Sequence, residues 1–203
     1  MSSVTTWDPV APARPAPPED ALYEIVDGHY EELPPMGTQA GVVVSRLARK
    51  LGVYAEENQL GEVVSEILFG LTPRARHKPR PDVAYVSYLR WPKGRLYPQG
   101  DPWPVVPDFV IEVVSPTDIA KAVQAKVKEY LDAGVSLVWL VYPQVGWVVA
   151  YESLHRMRGF TMADDLEAEP VLPGFRLPMT ELFSDSAAPP TNGEAPPEPE
   201  PNG

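Results

Sequence analysis

The chain contains no cysteine. A disulfide framework and a thiolate metal site are therefore both excluded. Histidine is scarce: there are three, His29, His77 and His155, and no two of them have the spacing of a metal-ligand pair, so all three read as non-catalytic. No apolar run reaches the length of a membrane span. The N-terminus lacks the basic start and apolar stretch of a signal peptide. A soluble cytoplasmic protein without membrane contact is the expectation. Positive charge is also short, with 17 Lys and Arg against 28 Asp and Glu and a formal net charge of −11. That balance argues against tight non-specific nucleic-acid binding through a broad basic face.

The charge is unevenly spread, and so are the 26 prolines. Residues 1–20 are Pro/Ala-rich and residues 185–203 are Pro/Glu-rich, and neither shows apolar periodicity. Both read as disordered tails, which leaves a folded unit over residues 21–184, long enough for one domain with a substantial core. The C-terminal tail carries Asp185, Glu194, Glu198 and Glu200 and no base, and the N-terminal tail sets Arg14 against Asp8, Glu19 and Asp20. Removing these leaves five of the eleven net negative charges on the folded unit. One local basic stretch remains, Arg74, Arg76, Lys78 and Arg80 around His77. It is either a solvated loop or a phosphate contact.

Residues 22–26 and 29–33 read as a hairpin, because the Asp27-Gly28 pair between them suits a type I′ turn. Residues 41–58 are helical: Val43, Val44, Leu47, Leu51 and Tyr54 recur at three and four residues, and Gly61 follows as a stop. Residues 62–71 and 82–87 are strand-like. Residues 88–106 form a loop rich in Pro, Gly and aromatics, whose Trp91 and Trp103 suit a dimer surface or a DNA-facing lid. A strand over 108–114, a helix over 117–132 and a buried apolar strand over 136–142 make a crossover unit with parallel strands. Residues 147–151, 158–162 and 167–172 add antiparallel strands. The expected fold class is α/β, a mixed sheet flanked by helices.

The chemistry gathers around that crossover. In the 117–132 helix, Ile119, Val123, Val127, Tyr130 and Leu131 form one apolar stripe at about 100° per residue. Lys126 falls inside it, while Lys121 and Lys128 lie opposite. A charge aimed at a core needs a partner. Glu112, embedded in the apolar strand, is the candidate, sharing a face with Val110 and Val114 while Ile111 and Val113 point the other way. Depth agrees: Glu112 lies three residues before Ser115, about 10 Å along a strand. Lys126 lies nine residues past Thr117, about 13–14 Å back along a helix. Asp82, opening the strand after Arg80-Pro81, supplies a second carboxylate, and Glu66 on the neighbouring strand is a weaker third. Thr117 reads as an N-cap and Asp118 as a helix-start acid. The plain alternatives are a buried Glu112–Lys126 ion pair and an Asp82 that merely opens a strand.

Four blocks at these residues resemble the Uma2 family of restriction-endonuclease-like proteins, in the PD-(D/E)XK nuclease superfamily. They are Arg-Pro-Asp-Val-Ala-Tyr-Val (80–86), Pro-Asp-Phe-Val-Ile-Glu-Val-Val-Ser-Pro-Thr-Asp (107–118), Lys-Val-Lys-Glu-Tyr-Leu-Asp-Ala-Gly-Val (126–135) and Val-Trp-Leu-Val-Tyr-Pro (138–143). The superfamily pattern places a Lys two residues after the Glu, where this chain has Val114; Lys126 matches the position to which the Lys has migrated in the Uma2-like variant. The family often has a His at the start of the first helix, where this chain reads Gly-Thr-Gln-Ala-Gly (37–41), and an acidic residue near Ala122. The resemblance implies a restriction-endonuclease-like fold and a metal-dependent endonuclease acting on DNA. Asp82, Glu112 and the backbone carbonyl of Val113 would hold Mg²⁺ or Mn²⁺, and Lys126 would complete the catalytic set. Cutting both strands with one such site implies a homodimer. The rival is a catalytically idle nuclease-fold domain used for binding, which the negative charge favours. A two-carboxylate glycosidase is a weaker rival with little use for Lys126.

Overall fold

The computed structural model describes residues 21–72 and 77–184. The expectations placed on the two tails and on Arg74 and Arg76 fall outside the described residues. The hairpin is present: β1 (Tyr23–Val26) pairs with β2 (His29–Glu32). Asp27 and Gly28 between them both have positive φ, 50° and 81°, as a two-residue type I′ turn requires. After β2 come α1 (Thr38–Glu57), β3 (Gly61–Ser65) and β4 (His77–Lys78). β4 pairs with the free edge of β1 to make a small sheet ordered β2-β1-β4.

The main sheet is built from β3, β5 (Val83–Ser87), β6 (Phe109–Val113), β7 (Leu137–Tyr142), β8 (Trp147–Ser153) and β9 (Arg156–Phe160), in the order β3-β5-β6-β7-β8-β9. Only β6 and β7 run parallel, joined through α2 (Ala120–Ala133) because parallel neighbours need a crossover. β10 (Asp165–Glu167) and β11 (Arg176–Pro178) form a separate pair, followed by α3 (Met179–Leu182).

Strand alternation sorts the sheet into two faces. Phe109, Ile111, Val113, Leu137, Trp139 and Val141 pack with Val43, Leu47 and Leu51 of α1. Ala84, Val86, Val110, Val138 and Leu140 pack with Val127 and Tyr130 of α2.

Several expectations need correction. α2 starts at Ala120, not at 117: Ile119 occupies the cap position with an extended backbone, and Thr117 caps nothing. The Asp118 carboxylate accepts the Ser115 N–H at 2.8 Å and the Ser115 carbonyl accepts the Asp118 N–H, so residues 115–118 close a turn before the helix begins. Ile119 therefore leaves the apolar stripe and is 72% exposed. α1 starts three residues early, at Thr38 after Gly37. β3 stops at Ser65, because Glu66 has φ +54° and cannot continue the strand. Trp91 and Trp103 are neither lid nor dimer surface: both are buried, packed edge-to-face at 5.4 Å. The loop's outward apolar groups are Leu89, Leu96 and Tyr97. The last expected strands shift to 156–160 and 165–167, and residues 168–172 form turns instead.

Candidate active site

Asp82, Glu112 and Lys126 arrive at one place from three elements. β5 and β6 are antiparallel with Val83 opposite Ile111. Asp82, one residue before Val83, therefore stands beside Glu112, one residue after Ile111. Both belong to the face covered by α2. α2 brings Lys126 over them, one residue before the fully buried Val127. A cleft of about 450 Å³ is lined by Asp82, Glu112, Lys126, Glu66, Arg80 and Asp118, and by the first turn of α1 from Thr38 to Ala40. A second groove of about 440 Å³, lined by Ile67, Tyr97 and Trp103, contains none of the three expected site residues.

Each carboxylate is held by a hydrogen bond. One Asp82 oxygen accepts the Val113 N–H at 2.6 Å. One Glu112 oxygen accepts the Tyr130 hydroxyl at 2.6 Å. The Lys126 ammonium lies 3.8 Å from the other Glu112 oxygen. The expected Glu112–Lys126 pairing is thus present but loose. The tighter partner is Glu24 on β1, whose Oε1 accepts the ammonium at 2.8 Å. Glu24 also accepts the Arg80 N–H at 3.1 Å and stands 3.2 Å from His77 Nε2. His77 Nδ1 is 2.5 Å from Glu129, one turn beyond Lys126 on α2.

Burial and charge set these groups apart. Burial pushes the Glu112 carboxyl up to about 7 and outweighs Lys126, which pulls it down; the charge on Asp82 pushes the same way. Burial likewise lifts Asp82 to about 6, with Glu66 and Asp118 adding to it and the Val113 N–H and Lys126 opposing. Glu24 goes the other way. Burial alone would raise it, but His77, Lys126 and the Arg80 N–H hold it down at about 2. Burial would lower His77, but Glu129 and Glu24 lift it to about 9. Lys126 is raised above the ordinary lysine value by Glu112 and Glu24, against burial.

Glu66 lines the cleft without a direct bond to the three residues; its carbonyl accepts Arg80 Nη1 at 2.5 Å. Arg80 is tied down further by the Tyr23 carbonyl and Asp101. Sequence reasoning passed over Glu24 and His77. Glu24 carried a readable signal, an acid between Tyr23 and Ile25 in an apolar strand, the same pattern that singled out Glu112. His77 carried none, since its partners are 52 and 53 residues away.

Among the described residues, no group of three or more His, Asp and Glu is arranged to hold a metal ion by itself. None of their helices is long and apolar enough to cross a membrane.

The comparisons with known proteins bear on this geometry. The Uma2 family, described as "Putative restriction endonuclease", matches residues 13–180. Among solved structures, that of "a putative nuclease belonging to DUF820" from Anabaena variabilis aligns with a TM-score of 0.70 at 19% identity, covering 83% of this chain and 93% of that one. At that identity the likeness speaks for the fold alone, a mixed sheet with helices on its faces. No curated protein matches the chain. The family match runs from ahead of the first hairpin into the last helix, and the chain belongs to the Uma2 family.

Proposed function

We propose that the protein is a divalent-metal-dependent endonuclease that hydrolyses phosphodiester bonds of DNA, with Asp82 and Glu112 as metal ligands and Lys126 as the cationic group of the site. The observation that carries this reading is the pair of adjacent, half-buried carboxyls lifted to about 6 and 7 beside the Lys126 ammonium on one cleft. Lone carboxylates do not gather in apolar surroundings unless something compensates them. The donors are hard oxygens, and Mg²⁺ is commonly held by one or two carboxylates together with substrate phosphate and water rather than by an all-protein cage. Two carboxylates with the Val113 carbonyl as third ligand fit that habit, and Mn²⁺ takes the same donors. The family and the nuclease-like neighbour support the same class of substrate.

Asp82, Glu112 and the Val113 carbonyl would hold such a cation, which would supply Lewis-acid polarisation of the phosphate and of water there. The chain's own groups do the remaining work. The Val113 N–H and the Tyr130 hydroxyl each fix one oxygen of a carboxylate, so the ligands are oriented in advance. Lys126 stays an ammonium because two carboxylates face it. It therefore stabilises negative charge developing on the phosphate and does not accept a proton. The far wall of the cleft is the first turn of α1, which has no side-chain cap; its N–H groups suit the flanking phosphate. A double-strand cut by one such cleft per chain calls for a homodimer.

The test is calorimetric titration of Mg²⁺ and Mn²⁺ into wild type, Asp82→Ala and Glu112→Ala, with plasmid and single-stranded DNA incubated with wild type and Lys126→Ala. The expected result is metal binding lost in both carboxylate variants, and cleavage reduced about 100-fold or more in Lys126→Ala, the scale of losing one preorganised charge-stabilising group. Absence of metal binding in wild type overturns the proposal. Metal binding without cleavage favours the idle binding domain instead.

A further inference from the structure

We infer that Glu24 is the positioning residue for Lys126, and that the small sheet β2-β1-β4 serves as the bracket that sets the ammonium over the site. This rests on the reading of Lys126 given above. The argument begins with geometry. The Lys126 ammonium stands between two carboxylates, 2.8 Å from Glu24 and 3.8 Å from Glu112. Only the Glu24 contact is within hydrogen-bond reach. A cation in the cleft would draw on Glu112, so Glu24 is the counter-ion that Lys126 keeps throughout.

Glu24 is itself immobilised. It is 6% exposed, and three groups address its two oxygens: Lys126, the Arg80 N–H and His77. His77 is gripped on its other side by Glu129. The contacts close a ring, Lys126 to Glu24 to His77 to Glu129, whose two ends sit three residues apart on α2. A side chain as long as lysine has several rotatable bonds and would otherwise wander. The ring removes that freedom. The Arg80 N–H joins Glu24 to the segment leading into Asp82, so the same carboxylate ties the ammonium to the strand that carries the first ligand. An arrangement meant only to glue the small sheet onto α2 would not need to engage the one lysine that faces Glu112.

The test uses the full chain and compares wild type with Glu24→Gln and Glu24→Ala. Glu24→Gln keeps the side-chain length and one acceptor: its carbonyl oxygen can still accept Lys126 and the Arg80 N–H, while its amide nitrogen forfeits the contact with His77. Lysine ammonium groups are observed by ¹H–¹⁵N correlation at mildly acidic pH, where an immobilised ammonium gives a sharp, slowly exchanging signal; loss in Lys126→Ala assigns it. We expect the Lys126 signal in wild type, weakened in Glu24→Gln and absent in Glu24→Ala. Plasmid cleavage read alongside should show kcat down about 10-fold or more in Glu24→Ala with KM changed by less than about threefold, the pattern of a group acting only in the transition state, and partial recovery in Glu24→Gln. A Lys126 signal that persists in folded Glu24→Ala overturns the inference, as does an unchanged kcat per folded molecule. Should wild type cleave nothing, the nuclease reading fails, and the ammonium signal alone still decides whether Glu24 positions Lys126.

Discussion

The two faces of the six-stranded sheet are made by alternate residues of the same strands and differ in kind. On the α1 face, Phe109, Ile111, Val113, Leu137, Trp139 and Val141 pack into one hydrophobic cluster with α1. On the α2 face, Val110, Val138 and Leu140 pack likewise with α2, but the alternation also delivers Asp82 and Glu112 to one end, and α2 adds Lys126 and the buried Tyr130 hydroxyl. A one-residue slip of β6 would send Glu112 into the dry face and Val113 into the cleft. The apolar face thus fixes the register that the polar face depends on. The stability of the fold and the chemistry of the site are carried by opposite sides of the same strands.

The sharpest way to break this comparison is to damage the dry face alone. Trp139 is fully buried and packs edge-to-face on Phe109 at 4.7 Å. Trp139→Ala should cost about 3–5 kcal/mol, the usual range for a buried aromatic truncated in a core, read as a lowered urea midpoint with the slope unchanged. Mg²⁺ affinity of the protein that remains folded should stay as in wild type. A large loss of metal affinity in that folded fraction would mean the faces are not separable.

The dry face was also the legible one. Periodicity alone reads α1, the crossover β6–α2–β7 and the facing of Glu112 against Ile111 and Val113, because burial on one side leaves a period in the sequence. Asp82, Glu112 and Lys126 were readable as charges where that period demands apolar residues, and the structure brings all three to one cleft. What stayed hidden depends on contacts far apart in the chain. The Lys126–Glu24 contact spans 102 residues and joins the small sheet to α2; no local pattern encodes it. The start of α2 was misread because Ser115 and Asp118 satisfy each other in a turn, a local competitor to the helix that helix-start residues also favour. The burial of Trp91 and Trp103 is not legible in the sequence because a Pro/Gly-rich segment carries no period to reveal it.

The second expected effect is a pH dependence confined to the polar face. Asp82, Glu112 and His77 all have folded pKa values above their ordinary ones: about 6 against 3.8, about 7 against 4.5, and about 9 against 6.5. A raised group contributes stability that is present below its unfolded value and lost as pH rises through the folded one. Without metal, the melting temperature should therefore fall from about pH 4.5 to about pH 9, through Asp82 first, Glu112 next and His77 last. Glu24, held down at about 2 from 4.5, has the opposite sign; its contribution is present above about pH 4.5 and is lost on acidification. Glu112→Gln cannot ionise, so its melting curve should run flatter than wild type through pH 7 while metal binding disappears. Saturating Mg²⁺ should shrink the part of that fall below about pH 7 in wild type and leave Glu112→Gln unaffected. Parallel pH profiles for wild type and Glu112→Gln would show that Glu112 ionises normally and would remove the main support for a strained carboxylate pair.

The smallest effect sharpens the comparison most, because it changes one atom where the two kinds of interior meet. Tyr130 is part of the apolar packing under α2, yet its hydroxyl donates to Glu112 at 2.6 Å. Tyr130→Phe keeps the ring and deletes the bond. Stability should fall by about 1 kcal/mol, the net worth of a typical hydrogen bond, far less than for Trp139→Ala. The hydroxyl also pulls the Glu112 pKa down, so its removal should move that carboxyl further up. At pH 6.5 more of Glu112 would then be protonated, and Mg²⁺, which must displace that proton, should bind a few-fold more weakly than to wild type. At pH 8.5 the carboxyl is largely ionised in both proteins, and the difference should shrink. An affinity loss equal at the two pH values would mean that Tyr130 acts by orienting Glu112 and not by setting its charge.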